Sequence, residues 1–99
     1  MERLSGVLPR VLRKLGLDEG LLGWRAVREW DQVVGPRIAR HTRAVAFRDG
    51  VLQVEVEGSA WMHELGFLKP DLVRKVNRHL GSRLVKNVRF VVPRGGILR

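Results

Sequence analysis

The sequence contains no cysteine and no tyrosine, and aromatic residues make up only 6% of it. Without cysteine there can be no disulfide framework, no thiolate metal site and no thiol nucleophile. No apolar run approaches the roughly 20 residues that a membrane-spanning helix requires. The opening residues, MERLSGVLPRVLRKLG, mix charged and apolar side chains throughout, so they lack the basic-then-apolar layout of a secretory signal. These absences point to a cytoplasmic protein that sits in no membrane. Acidic residues are scarce as well: 10, against 19 lysines and arginines in 99 residues, for a net charge of +9.

The charge is unevenly spread. Residues 1–35 carry six basic and five acidic side chains, and residues 36–48 carry four arginines and no acid. Residues 49–68 carry four acids and no base, and residues 69–99 carry nine bases against Asp71 alone. A domain this basic has the electrostatic footprint of a nucleic-acid binder, because each phosphate neutralised by lysine or arginine releases condensed counterions. The length allows one domain with one modest core. A hydrophobic fraction of 44% argues against a disordered chain.

The apolar spacing divides the chain into elements. Leu4, Leu8, Val11 and Leu15 mark one buried helix face, and Val27, Trp30 and Val34 a second, stopped by Gly35-Pro36. RAVAFRDGVLQVEV reads as two alternating strands joined by a two-residue turn at Asp49-Gly50. Pairing outward from that turn sets Arg48 against Val51, Phe47 against Leu52 and Val45 against Val54. One face is then Val45, Phe47, Leu52, Val54 and Val56, and the other Ala44, Ala46, Gln53 and Glu55. A further helix opens with Ser59 as its N-cap and runs on Trp61, Leu65, Leu68, Leu72, Val76 and Leu80. Pro70 should kink or split it, and Gly81 closes it. A last strand turns Val88, Phe90 and Val92 inward and ends at Pro93. The order α-α-β-β-α-β predicts an α+β fold with helices on one face of a three-stranded sheet. It occupies residues 1–93 as a single domain, followed by a short basic tail at 94–99.

Residues that could perform chemistry do not converge. His41, His63 and His79 are scattered, and HELGF lacks the second histidine of the zinc-protease helix motif because Phe67 stands in its place. Glu55 and Glu57 lie on one strand face and read as solvated glutamates, not as an acid/base pair. No catalytic residue, metal site or cofactor is expected, and no small-molecule substrate. Gly20-Leu21-Leu22-Gly23 has the GxxG spacing of the RNA-clamping loop of KH domains and lies between two predicted helices. Its two central leucines are unsuited to holding phosphate. Trp30 and Trp61 fall within apolar stripes and read as core, whereas Trp24 lies outside them and is a possible partner surface.

The basic residues fall into runs: Arg37, Arg40 and Arg43; Arg74, Lys75 and Arg78; then Lys86 and Arg89. These are the candidate nucleic-acid contacts, positioning a phosphate backbone without reading its sequence. The acids around Asp49, Glu55 and Glu57 form a separate surface suited to a protein.

In order along the chain, WDQVVG (Trp30–Gly35), IARHT (Ile38–Thr42), DGVLQVEV, SAWMHEL (Ser59–Leu65) and VNRHLG together resemble the DciA family of bacterial replicative-helicase loaders, long catalogued as a domain of unknown function. The resemblance covers nearly the whole chain. It implies a KH-like fold similar to the N-terminal domain of the bacterial replication initiator, and binding to the hexameric replicative helicase. It also implies affinity for DNA, single-stranded or forked, and no catalytic centre. Many members carry a long basic extension after this domain, whereas here the sequence ends soon after Val92. Two other readings fit the residues: a KH-like RNA-binding module without a helicase partner, and a structural interaction domain whose basicity is incidental.

Overall fold

A tight hairpin sets the frame. In the computed structural model, which describes residues 18–93, Asp49 and Gly50 both take positive φ, 52° and 82°. That is the two-residue turn which an Asp-Gly pair favours. It joins β1 (Thr42–Arg48) to β2 (Val51–Val56). Near the turn the register is the predicted one, Arg48 opposite Val51 and Phe47 opposite Leu52. Beyond Ala46–Gln53 the register shifts, and Ala44 rather than Val45 faces Val54. Val45 is the extra residue of a β-bulge, which a strict alternation count cannot anticipate. The bulge turns Thr42 and Ala44 inward, where both are buried, while Val45 stays half-exposed.

The third strand, β3 (Asn87–Val91), pairs parallel to β2, giving a mixed sheet in the order β1-β2-β3. A parallel partner cannot follow through a tight turn and needs a crossover, which two helices supply. These are α4 (Ser59–Gly66) and α5 (Lys69–Leu80). Pro70 splits the predicted long helix in two, and it sits in the first turn of α5, where its missing N–H costs nothing. Gly81 ends α5 in the left-handed conformation, as expected. Ser59 is not the N-cap: Gly58, at φ 91°, holds that position and Ser59 is already helical. Val92 is likewise not inward-facing but 71% exposed, because the strand ends one residue earlier; Val85, ahead of the strand, is buried instead.

Before the hairpin come α1 (Asp18–Arg28), α2 (Trp30–Val34) and α3 (Pro36–Ala39). Gly35 (φ 86°) stops α2 as predicted, but Pro36 then opens α3, since its fixed φ suits the first helical position. The apolar stripe at Leu4, Leu8, Val11 and Leu15 lies outside the described residues. The element order is the α+β, KH-like one expected from the sequence, refined by the extra short helices.

The core gathers Leu52, Val54 and Val56 of the central strand with Val88, Leu65, Trp30 and the inward stripe Leu72, Val76, Leu80. Trp30 is 1% exposed, and its indole Nε1–H donates to Thr42 Oγ1 at 2.9 Å. The Thr42 hydroxyl in turn donates to the Ile38 carbonyl at 2.9 Å. Thr42→Val keeps the shape but strands the buried indole N–H. Unfolding by urea should register a loss of about 1–3 kcal/mol, the cost of an unsatisfied buried donor.

Candidate nucleic-acid interface

The three arginines at steps of three do not form a stripe, because the chain passes from α3 to β1 between Arg40 and Arg43. Arg37 places its guanidinium carbon 5.7 Å from the ring centroid of Trp61. The other partner of that indole is His41, stacked at 4.4 Å with an interplanar angle of 20°. His41 Nδ1 lies 3.7 Å from Glu57 Oε1. Arg40 caps the end of α3 and is exposed. Arg43 lies on the sheet directly opposite Glu55, with its Nη2 2.9 Å from Glu55 Oε1.

Arg74, Lys75 and Arg78 do share a surface, the outward side of α5 away from Leu72, Val76 and Leu80. Arg74 is bonded to Asp71 within that surface. Lys86 belongs to the hairpin end. Its N–H donates to the Gly50 carbonyl at 2.7 Å, and its side chain crosses the turn so closely that a Cβ on Gly50 would meet its Cδ at 3.1 Å. Arg89 projects from β3 on the side of the sheet that the helices leave open.

That open side is the principal surface the sequence reading missed. Alternation along the paired strands places Arg43, Ala46 and Arg48 of β1 there, beside Val51, Gln53 and Glu55 of β2 and Asn87 and Arg89 of β3. A shallow depression of about 410 Å³ forms on it, bordered by Arg48, Arg89 and Lys69, floored by Gln53 and Asn87, with Asp49 at the hairpin end. Arg48 had a local signal, since it shares strand parity with the small Ala46 and, across the pair, lies on the face of the polar Gln53. Lys69 had none: it is the first residue of α5, and only the tertiary fold brings it beside the sheet, 5.5 Å from the Phe90 ring.

The acidic surface expected around Asp49, Glu55 and Glu57 is largely consumed within the molecule. Glu55 is not a solvated glutamate: it is 7% exposed on the central strand and holds Arg43. A central strand is sheltered on both edges by its neighbours, which the alternation pattern alone does not reveal. Glu57 faces His41, and Asp49 remains at the turn.

The Gly20–Gly23 spacing lies inside α1 and not in a loop between helices, so no clamp-like loop is built there. Gly23 has a packing role: a Cβ at this position would come within 2.3 Å of Phe47 Cδ2. Trp24, on the same helix, is 60% exposed. It lines a groove of about 190 Å³ with Gly20, Gly23, Val45, Ala46 and Phe47. Phe67, at the α4–α5 corner, is 74% exposed and meets His63 edge-on at 5.1 Å.

A second charged cluster ties the N-terminal helices to α5. Glu29, between α1 and α2, accepts from Arg25 Nη2 at 3.1 Å and lies 2.7 Å from His79 Nε2. The bond from Arg25, then that from His79, holds the Glu29 carboxyl below its ordinary range. A carboxyl whose pKa is lowered by folding adds stability above its unfolded pKa and surrenders it as pH falls through the folded one. Thermal unfolding of Glu29→Gln should therefore approach that of the unmodified chain at acidic pH and fall short of it near neutrality.

Among the described residues no three His, Cys, Asp or Glu side chains are grouped to hold a metal ion, and no helix is long and apolar enough to cross a membrane. Residues 3–90 match the family described as "Dna[CI] antecedent, DciA". A UPF0232 protein of Bifidobacterium longum is 37% identical over 70 residues, covering 71% of this chain and 45% of the relative. A UPF0232 protein of Mycobacterium tuberculosis is 35% identical over 65 residues, covering 66% of this chain and 35% of the relative. One of Corynebacterium glutamicum is 24% identical over 92 residues, covering 93% of this chain and 52% of the relative. The chain thus spans between about a third and a half of the length of these relatives.

Proposed function

The chain belongs to the DciA family, and from that membership we propose that it is a non-enzymatic adaptor which binds DNA and the hexameric replicative helicase and promotes helicase loading in bacterial replication. The family match over residues 3–90 is the observation that carries this reading. The charge supports the DNA half: +9 on 99 residues, with arginines and lysines exposed on α5, at the hairpin and on the open sheet. Contacts of this kind fix the protein on a phosphate backbone without selecting a base sequence. Work in the cytoplasm follows from that role.

Co-sedimentation of the chain with the replicative helicase of the same bacterium, with and without a fluorescent oligonucleotide, tests both halves. Co-migration with the hexamer, and oligonucleotide retained in proportion to the chain, is the expected outcome. A chain that remains in the supernatant under both conditions contradicts the adaptor role.

A further inference from the structure

We propose that the open face of the sheet is a short binding track for single-stranded DNA, running from Lys69 and Arg89 across Gln53 and Arg48 and over the β1 edge to Trp24, on which one base stacks. The inference deepens the DNA-binding role above and rests on it.

Two depressions make the track. The first, about 410 Å³, lies on the open sheet between Arg48, Arg89 and Lys69. The second, about 190 Å³, lies between α1 and β1 beside Trp24. Ala46 lines both, so they meet at the outer strand of the sheet, where the small side chain raises no wall between them. β1 and β3 flank β2 at about 4.8 Å per strand spacing, so the sheet itself is crossed in about 10 Å. With α1 beside β1, the whole path suits a site at the lower end of the ~4–16 nucleotides typical of single-strand binding modules.

Each part of the track meets a different part of a nucleotide. Arg48 and Arg89 form no ion pair with another described residue, so their guanidinium groups are available to phosphate oxygens; Arg43, held by Glu55, is not. Asp49 lies at the hairpin end of the first depression and repels phosphate there, which directs the backbone toward the Arg89–Lys69 side. The amide of Gln53 both donates and accepts, and that of Asn87, whose oxygen already takes the Val88 N–H at 2.8 Å, keeps its NH2 to donate; such groups match base edges of any sequence. The open face carries no aromatic side chain, so stacking falls to Trp24, the most exposed tryptophan. In a duplex both faces of every base are already stacked, which leaves none for the indole. The occupant is therefore a single strand.

Anisotropy of a labelled twelve-residue oligothymidylate, read against the full chain over a salt series, tests the assignment. Arg48→Ala with Arg89→Ala should weaken binding at least tenfold and reduce the salt slope by about 1.4, at about 0.7 per phosphate on a single strand. Trp24→Ala should weaken it by about 5- to 150-fold, the range for one stacked base, and Trp24→Phe should recover most of that loss. Intrinsic fluorescence should be quenched by the oligonucleotide in the unmodified chain but not in Trp24→Phe, because Trp30 is buried and Trp61 is covered by His41. Circular dichroism confirms that the variants are folded. If the unmodified chain binds no oligonucleotide even at low salt, the DNA-binding role itself fails. If it binds and these variants bind equally well, the track alone is wrong. A duplex, or the matching oligouridylate, bound more tightly than the oligothymidylate would also overturn it.

Discussion

Trp30→Ala should leave little folded protein at physiological temperature. The indole is 1% exposed at the centre of the core, and it belongs to a five-residue helix too short to hold itself. Truncating a buried tryptophan costs about 3–5 kcal/mol, against a total stability of about 5–15 kcal/mol for a native domain. The substitution also frees the Thr42 hydroxyl from its indole donor, so two layers of the core loosen together. For a domain of this size each kcal/mol moves Tm by about 4–8 °C. A fall of at least about 12 °C, followed by circular dichroism, is expected. Trp30→Phe retains most of the packing and should recover more than half of the loss. A shift of only a few degrees in Trp30→Ala would mean that the indole is not the keystone of the α2–sheet contact.

Arg43→Glu should also act on the fold, before any effect on DNA is considered. Arg43 pairs directly across the hairpin with Glu55, whose side chain is 10% exposed. Reversal removes the partner of a largely buried carboxylate and sets a second carboxylate opposite it. Because the arginine is itself 64% exposed, solvent and salt screen part of the repulsion, and a loss of about 1–3 kcal/mol is expected. The exchange Arg43→Glu with Glu55→Arg should restore most of it, which urea titration of the four variants would measure as a coupling energy. Reversing Arg37, Arg40 and Arg43 together should weaken DNA binding and flatten its salt dependence, but part of that loss would come from the fold. Arg40→Glu alone separates the two, since Arg40 is exposed at the end of α3.

Local chemistry makes much of this architecture legible in the sequence alone. Asp49-Gly50 dictated the turn, Pro70 the break between α4 and α5, Gly81 the end of α5, and the stripe Leu72, Val76, Leu80 its buried side. The errors arise where one residue changes the count or where distant elements meet. Val45 is inserted into β1 as a bulge, so alternation carried past Ala46 assigned the wrong face to everything before it. Glu55 reads as solvated from alternation alone, because nothing in that pattern marks β2 as the central strand. Arg37 and Arg43 looked like neighbours because an even spacing was followed across a helix-to-strand change. Lys69 joins the open sheet only through the crossover that makes β3 parallel to β2, and no pattern in one segment carries that information. Charge runs reported the sign of the surface, then, and strand pairing decided which charges share it.

The most direct test of the adaptor role is occupancy of a forked DNA by the replicative helicase, measured at fixed moderate salt with and without this chain. Occupancy should rise with the chain in proportion to its concentration, and should fall back when Arg48 and Arg89 are replaced by alanine. Helicase occupancy that stays flat while the chain itself binds the fork would contradict helicase loading and leave a DNA-binding module with a different partner.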